Sequence, residues 1–276
     1  GAHNGSIRQT AWAAMPEPSP VKPRCSSVVA LTLTAGTIQY IDQADVTEKG
    51  KVEFTVFPQN YSNGVIRVIS KENGGHGSAV NAGIEHARGR YFRVIDGDDW
   101  VNADGMAELL DRLADLDCDL VVDKKREVDM TTGEERAFPL AKGVVPGRVL
   151  DFSTVLTNGD TVFQIMIHTL TARTDYLRGI GIKLLEHTFY EDYEYVVKAS
   201  VPASTICYLD VEVYQYLVGN ANQSVNHDNY VRRWDDHSRV VTELLAYLER
   251  CEHDEVRAAT GEKLSNEAVY YVREKV

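Results

Sequence analysis

Short apolar runs alternate with amphipathic segments over residues 27–123. Runs that are rich in β-branched and aromatic side chains predict strands. The predicted strands are Ser27–Thr34, Val52–Phe57, Val65–Ser70, Tyr91–Ile95 and Leu120–Val122. Between them, apolar residues at helical spacing predict helices at Ile38–Val46, after the N-cap residue Ser78 and after the N-cap residue Asn102. This alternation is typical of an α/β fold, in which helices cover both faces of a mostly parallel sheet.

The part of the chain after residue 123 has a less regular pattern. A hairpin tip is predicted at Thr131–Glu134 because turn-forming residues cluster there. We expect a strand around Val162–Thr171 and a helix that begins near Tyr190. Alternating apolar and aromatic residues predict a further strand at Ile206–Tyr216.

The two ends of the chain differ from the middle. Several prolines in residues 1–24 disfavour helix, so we interpret this stretch as an extended lead-in or a tag. Residues 228–276 carry apolar residues at helical spacing and predict a C-terminal helical region. The stretch between them, residues 25–227, is long enough to bury a substantial core.

Charge and cysteine spacing narrow the classes of function. The net charge is −12 and no basic stripe stands out, which argues against a nucleic-acid-binding surface. An acidic protein that binds phosphate must also recruit a cation. The four cysteines are not spaced as zinc ligands, and we expect free thiols in a reducing cytosol. We find no apolar run of membrane-spanning length, so we expect a cytoplasmic protein, with contact at the inner face of the membrane left open.

An acidic motif, Asp96-Gly97-Asp98-Asp99-Trp100, follows the predicted strand Tyr91–Ile95 directly. Three carboxylates within four residues repel one another, and a divalent cation at this position would offset that repulsion. The carboxyl end of a strand is also where open α/β sheets bind ligands. The alternative interpretation is an acidic turn that caps the next helix.

A glycine-rich loop, Lys71–Gly77, comes before the predicted helix at Ser78. Because Gly74 and Gly75 have no Cβ, the backbone there can approach a flat base or a ribose closely. The N–H groups of the following helix are free to meet an anion. An ordinary turn between strand and helix is the alternative. His76 could contact a substrate, but a lone histidine in a loop is more often a solvated turn residue, and we interpret it in this way. We interpret His168 and His187 as structural.

Five short elements follow one another in an order that resembles the bacterial family 2 glycosyltransferases, which have the GT-A fold. They are Lys71–Gly75, Asn81–Gly83, Asp96–Trp100, Phe189–Tyr193 and Gln223–Val225. The resemblance covers roughly residues 65–240. It implies a catalytic domain at 25–227, with a nucleotide-sugar half at 25–123 and an acceptor half at 124–227. The C-terminal helices would then shape the acceptor site or a dimer contact.

The same resemblance implies inverting transfer of a sugar from a nucleoside diphosphate, for which we expect UDP, to a carbohydrate or lipid-linked acceptor. The expected setting is synthesis of cell-surface polysaccharide or glycoconjugate. Asp192 would be the base that takes the acceptor proton, and Glu191 would orient either this base or the acceptor. Asp98 would bind Mn²⁺ or Mg²⁺ with help from Asp96 or Asp99, and Asp96 would also face the ribose or base. The remaining nucleotide contacts would be Asn73, Gly74, Gly75, Asn81, Gln223 and Ser224.

The chain departs from the family pattern near its start. The second strand of the family ends in Asp-Asp-Gly-Ser, whereas Val52–Phe57 leads into Pro58-Gln59-Asn60-Tyr61 and only a short link. Either the nucleotide pocket has diverged, or segments next to Gly36–Thr37 and Val56–Phe57 are missing from this sequence. Two other classes of function stay open: a sugar-phosphate nucleotidyltransferase, and a binding module without catalysis.

Overall fold

The structure is a computed structural model of the chain. It describes the backbone of residues 28–34, 37–41 and 159–160, and backbone with side chains for 69, 71–97, 99–155, 161–219 and 232–251. The strands predicted at Val52–Phe57 and Val65–Ser70, the lead-in, Asp98 and the Gln223–Ser224 loop therefore lie outside the described side chains, as does Cys25.

The described residues form nine strands and seven helices. The strands are β1 (Val28–Thr34), β2 (Thr37–Ile41), β3 (Tyr91–Asp96), β4 (Trp100–Val101), β5 (Leu120–Asp129), β6 (Glu135–Ala137), β7 (Val149–Asp151), β8 (Leu170–Arg173) and β9 (Thr205–Val218). The helices are α1 (His76–His86), α2 (Ala103–Asp115), α3 (Phe152–Val155), α4 (Gly159–Val162), α5 (Thr174–Gly179), α6 (Glu191–Ser200) and α7 (Trp234–Glu249).

The strands form one sheet in the order β2-β1-β3-β8-β5-β9-β4, with β6 paired to β5 and β7 paired to β9. Among the described strands, only β5 and β9 pair in parallel, so the described part of the sheet is mixed, whereas the sequence pattern predicted a mostly parallel one. The strand-helix-strand unit β3-α2-β5 does give two strands of the same direction. However, β8 lies between them and is antiparallel to both.

Local sequence patterns predicted several elements correctly. The strands expected at Ser27–Thr34, Tyr91–Ile95 and Ile206–Tyr216 are β1, β3 and β9. The helix expected at Ile38–Val46 is wrong, because Thr37–Ile41 forms β2 and pairs antiparallel with β1. Its alternating β-branched and aromatic residues fit a strand better than a helix. The strand expected around Val162–Thr171 is mostly wrong, because Val162 ends α4 and only Leu170 and Thr171 belong to β8.

Helix boundaries follow from their capping residues. As predicted, Asn102 caps α2, and its Oδ1 accepts a hydrogen bond of 2.9 Å from the Gly105 amide. Helix α1 begins two residues earlier than its predicted cap, so Ser78 lies inside its first turn and Gly75 occupies the cap position. Gly75 has a φ of 82°, a left-handed conformation that glycine adopts without strain.

Helices cover both faces of the sheet, as the α/β pattern predicts. Apolar residues of α1, α5 and α6 pack on one face in a single cluster that includes Val80, Leu177 and Tyr195. Residues of α2, including Leu109, pack on the other face. Helix α7 packs on α6 through a smaller cluster, Val197, Val201, Val240, Leu244 and Leu248. The packing thus fixes α6 between the sheet and α7.

A buried ion pair joins the central strands. Both terminal nitrogens of Arg93 in β3 donate to the carboxylate of Asp123 in β5, with Nη2 and Oδ1 3.0 Å apart. Arg93 also donates to the Thr171 hydroxyl of β8 at 3.0 Å and to the backbone carbonyl of His168. Both charged side chains are fully buried, so each compensates the other in a region without water.

We expect Arg93→Met to lower the free energy of unfolding by about 3–5 kcal/mol, because the Asp123 carboxylate would stay buried without its partner. Urea denaturation measures the loss. Arg112→Met is the matched control, since Arg112 forms an exposed pair with Glu108 within one helix, and about 0.5 kcal/mol or less is expected. The double variant Arg93→Met/Asp123→Leu should recover much of the stability. Equal losses of unfolding free energy in Arg93→Met and Arg112→Met would contradict the conclusion that Arg93 compensates a buried charge.

Candidate active site

The glycine-rich loop before α1 lies against the segment 184–188, which leads into α6. The Gly74 carbonyl accepts a hydrogen bond of 2.6 Å from the His187 amide. A Cβ on Gly77 would lie 2.3 Å from the Leu185 carbonyl oxygen, so only glycine permits this approach. Within the loop, Asn73 Oδ1 accepts from the Gly75 amide at 3.0 Å. The glycines therefore shape this loop through contact with the segment 184–188.

Asn81 fastens α1 to the same segment. Its Nδ2 donates to the Leu184 carbonyl at 3.0 Å, and its Oδ1 accepts from the Leu184 amide at 2.8 Å. A second contact joins Nδ2 to Glu186 Oε1 at 3.3 Å. The side-chain amide is thus engaged with the protein itself, and a contact between Asn81 and a nucleotide stays a prediction.

Asp96 ends β3 between two imidazoles. Its Oδ1 is 3.1 Å from Nε2 of His76, and its Oδ2 is 3.5 Å from Nε2 of His168. Burial would favour the neutral acid, but the two histidines outweigh it and hold the pKa of Asp96 well below its usual range. Asp96 is therefore an anion whose two oxygens each face a ring nitrogen.

Asp99 is held by β9 on the other side of the motif. One of its oxygens accepts a hydrogen bond of 2.6 Å from the Tyr214 hydroxyl, and the other accepts one of 2.8 Å from the Leu217 amide. The Tyr214 hydroxyl also accepts from the Asp96 amide at 3.2 Å. One tyrosine thus fixes the turn that carries the acidic motif.

Glu191 and Asp192 are the first two residues of α6, which agrees with the helix predicted to begin near Tyr190. Carboxylates in the first turn are stabilised by the positive end of the helix dipole. Glu191 is buried, and its Oε1 is 2.7 Å from Nδ1 of His76. Asp192 Oδ1 is 3.7 Å from the same nitrogen, and the Asp192 side chain is 49% exposed. The pair and Asp96 therefore lie around the same imidazole, and the region that these three acids border is called the cleft.

The pKa values follow from this crowding. Burial would lower the pKa of His76, but its contacts with Asp96 and Glu191 raise it well above the usual value, which favours the charged imidazole. Desolvation within the cleft raises the pKa of Asp192 to about 6, although half of the side chain is exposed. His76 opposes that rise, whereas Glu191 and Asp96 add to it.

Helix α7 contacts the segment that comes directly before α6. Arg239 donates to the His187 carbonyl at 3.1 Å, and the Thr188 hydroxyl donates to Asp236 at 3.1 Å. Tyr190, the residue directly before α6, adopts a left-handed φ of 70°, which is uncommon for a residue with a Cβ. The predicted structural role of His187 agrees with its backbone contacts to the loop and to α7.

Two groups of side chains in the described part of the chain could hold a metal ion. Donor atoms of Asp96, Asp99 and His168 lie within 4.8 Å of one another, and so do those of His76, Glu191 and Asp192. In the first group, Nδ1 of His168 is buried without a hydrogen-bond partner. Carboxylates with an imidazole suit a divalent transition metal such as Mn²⁺ better than Mg²⁺, which favours oxygen ligands. The donor atoms of the first group thus fit the expected cation, and Asp98 lies between its two acids in the sequence.

His76 and His168 were not predicted as site residues. The interpretation of His76 as a solvated turn residue is wrong, because its side chain is only 14% exposed and touches three carboxylates. His168 lies beside Asp96 and packs its ring against Tyr214 and Tyr216, with centroids 5.0 and 4.7 Å apart. The one available signal was that His76 interrupts the glycine-rich loop at the helix start.

Solved structures of TarS from S. aureus have a similar fold. A TarS fragment of residues 1–349 in complex with UDP gives a TM-score of 0.55 at 18% identity, over 76% of this chain and 56% of that one. The same fragment with UDP-GlcNAc gives 0.52 at 19% identity, over 73% and 54%. At this identity the likeness shows the fold alone. The chain has the GT-A class of α/β fold, as its motifs predicted.

Residues 51–168 match the model of a protein family described as glycosyl transferase family 2. This range includes the glycine-rich loop and the acidic motif. Residues 51–168 are therefore similar to glycosyl transferase family 2, and the resemblance seen in the motifs is confirmed.

The sequence relatives include two proteins of Bacillus subtilis (strain 168). EpsH is described as a putative glycosyltransferase, and EpsJ is described as an uncharacterized glycosyltransferase. EpsH is 29% identical over 164 residues, which cover 55% of this chain and 44% of EpsH. EpsJ is 43% identical over 56 residues, which cover 20% of this chain and 16% of EpsJ. The chain thus spans less than half the length of either relative that it matches.

Among the described helices, none combines the length and the apolar character that crossing a bilayer requires.

We expect Tyr214→Phe to lower the free energy of unfolding by about 1.5–3 kcal/mol, because its hydroxyl donates to a charged carboxylate. Urea denaturation measures this loss. Tyr208→Phe is the matched control: that hydroxyl is equally buried but donates to the neutral Thr161 carbonyl at 3.0 Å, which contributes about 1 kcal/mol. A Tyr214→Phe protein no less stable than the control would show that Asp99 does not depend on this contact.

Proposed function

We propose that this chain is an inverting glycosyltransferase, which moves a sugar from a nucleoside diphosphate to an acceptor hydroxyl. In this reaction the acceptor oxygen bonds to the anomeric carbon while the bond from that carbon to the diphosphate breaks. The acceptor proton goes to a base on the face opposite the leaving group. UDP is the proposed nucleotide, because UDP and UDP-GlcNAc are the molecules bound in the TarS complexes. The proposed setting is synthesis of cell-surface polysaccharide or glycoconjugate.

One observation carries this proposal. Asp96, at the end of β3, and the pair Glu191–Asp192, at the start of α6, come from separate motifs and border the same cleft. A glycosyl transfer of this type needs anionic groups on both sides of the reacting carbon. On the donor side they hold a cation for the diphosphate, and on the acceptor side one removes a proton.

Asp192 is the proposed base, and Glu191 is the proposed residue that orients it. The carboxylate of Asp192 is half-exposed and so can meet an acceptor hydroxyl, whereas Glu191 is buried against His76. A pKa of about 6 leaves Asp192 ionised at neutral pH and still basic enough to take a proton.

Asp98, Asp96 and Asp99 are the proposed residues for Mn²⁺ or Mg²⁺, with His168 as a further donor. The cation, when bound, would offset the negative charge that builds on the departing diphosphate.

The proposed nucleotide contacts come from two parts of the chain. The nucleoside would be lined by Asn73, Gly74 and Gly75, and the other proposed nucleotide contacts are Asn81, Gln223 and Ser224. A carbohydrate or lipid-linked molecule is the proposed acceptor, and a homodimer stays open.

The first test measures binding and products with UDP-sugars. We expect UDP to bind in calorimetry with Mn²⁺, and we expect this binding to be lost with a chelator or in Asp98→Ala, since carboxylate ligands hold the cation. We also expect free UDP as the product when a panel of UDP-sugars is supplied. Pyrophosphate released from a nucleoside triphosphate and a sugar phosphate would indicate a nucleotidyltransferase. Binding without any product would indicate a module without catalysis.

The second test concerns the base. Asp192→Asn should keep the affinity for UDP and Mn²⁺ and lower the rate of transfer by about 10²–10⁴-fold, because an amide cannot accept the proton. In the unmutated protein, kcat/KM should fall as the pH drops below about 6, where Asp192 becomes protonated. Asp175→Asn is the control: Asp175 is exposed in the first turn of α5, so this change should leave the rate unchanged. Normal turnover by Asp192→Asn would exclude Asp192 as the base.

A further inference from the structure

His76 connects the donor side of the cleft to the acceptor side. Its Nε2 lies 3.1 Å from Asp96 Oδ1, and its Nδ1 lies 2.7 Å from Glu191 Oε1 and 3.7 Å from Asp192 Oδ1. In the described part of the chain, no lysine or arginine forms an ion pair with any of these three carboxylates. One imidazole is therefore the shared counter-charge of two motifs.

The backbone fixes the position of this ring. His76 lies between Gly75, whose φ of 82° starts the helix, and Gly77, which approaches the Leu185 carbonyl. The loop is also held by the hydrogen bond from His187 to Gly74. Because the loop packs against the segment that leads into α6, the ring reaches Glu191 and Asp192 without a long flexible side chain.

The contacts also limit what His76 can do. Each of its ring nitrogens faces a carboxylate, and its side chain is 14% exposed, so neither nitrogen is available to an acceptor hydroxyl. His76 is thus unsuited to act as the base itself. Removing the ring would leave three carboxylates to repel one another across the cleft. Asp192, the most exposed of them, would be the most free to turn away.

We propose that His76 is a positioning residue that holds Asp192, through Glu191 and Asp96, at the distance from the donor that transfer requires. This inference rests on the proposed function, since it assigns Asp192 the role of base. Misplacing a reacting group by about 1 Å can lower a rate by about 10²-fold. The effect of His76 should therefore appear in kcat and leave the binding of the nucleotide nearly unchanged.

The experiment compares His76→Gln and His76→Phe with the unmutated protein, using UDP release from UDP-GlcNAc and a panel of other UDP-sugars in the presence of Mn²⁺. Phenylalanine keeps the ring shape without nitrogen, whereas glutamine keeps one amide donor. We expect kcat to fall by about 10²-fold in His76→Phe and by about tenfold in His76→Gln, with the Kd for UDP changing by less than about threefold. The partial recovery with glutamine separates positioning from a loss of fold.

His86→Phe is the matched control, because His86 lies at the far end of the same helix, where its Nδ1 is 2.9 Å from the Ala82 carbonyl oxygen. Its kcat should equal that of the unmutated protein. If His76→Phe does not fold, the decrease in kcat with unchanged Kd in His76→Gln decides alone. Normal kcat in His76→Gln, or an equal loss of kcat and UDP affinity, overturns the inference. No UDP release by the unmutated protein overturns the proposed function and this inference with it.

Discussion

Mutual repulsion among the carboxylates around the cleft is the constraint that the surrounding structure must satisfy. Asp96 and Asp99 end one strand and its turn, while Glu191 and Asp192 begin a helix on the opposite side. Asp96 and Glu191 are held by imidazoles, with His76 shared between them, and Asp99 is held by a tyrosine hydroxyl and a backbone amide. Donors of this kind lower the energy of the ionised form, so the acids can stay charged close to one another.

The donors reach the acids because the two halves of the chain are tied together next to the cleft. Asn81 bonds to Leu184, and the loop at Gly74 bonds to His187, so α1 and the segment before α6 form one support. Helix α7 holds the same segment from the other side. Beneath the cleft, Arg93 joins three strands and also bonds to the His168 carbonyl, which fixes where that histidine leaves the sheet.

Local features of the chain could be predicted from the sequence, and long-range ones could not. The strand at Tyr91–Asp96 and the capped helix after Asn102 depend on patterns within a few residues, which a linear sequence displays. The insertion of β8 between β3 and β5 depends on pairing between distant segments, for which no local pattern exists. His76 was missed for the same reason: its partners Glu191 and Asp192 come from much later in the chain. The acids could be predicted because each belongs to a motif of a few consecutive residues. Their counter-charges could not, because these come from distant parts of the chain.

The balance of charge at the cleft bears on what it can bind. Asp96, Asp99, Glu191 and Asp192 can supply four negative charges, and His76 and His168 can supply two positive charges at most. An excess of negative charge therefore remains, in a protein whose net charge is already −12. A diphosphate would be repelled from such a site, since the interaction between charges is strong where water is scarce. A divalent cation would offset the excess negative charge, and the diphosphate could then bind to that cation. We infer that the histidines keep the acids in place, and that a cation which arrives with the nucleotide makes the site able to bind it.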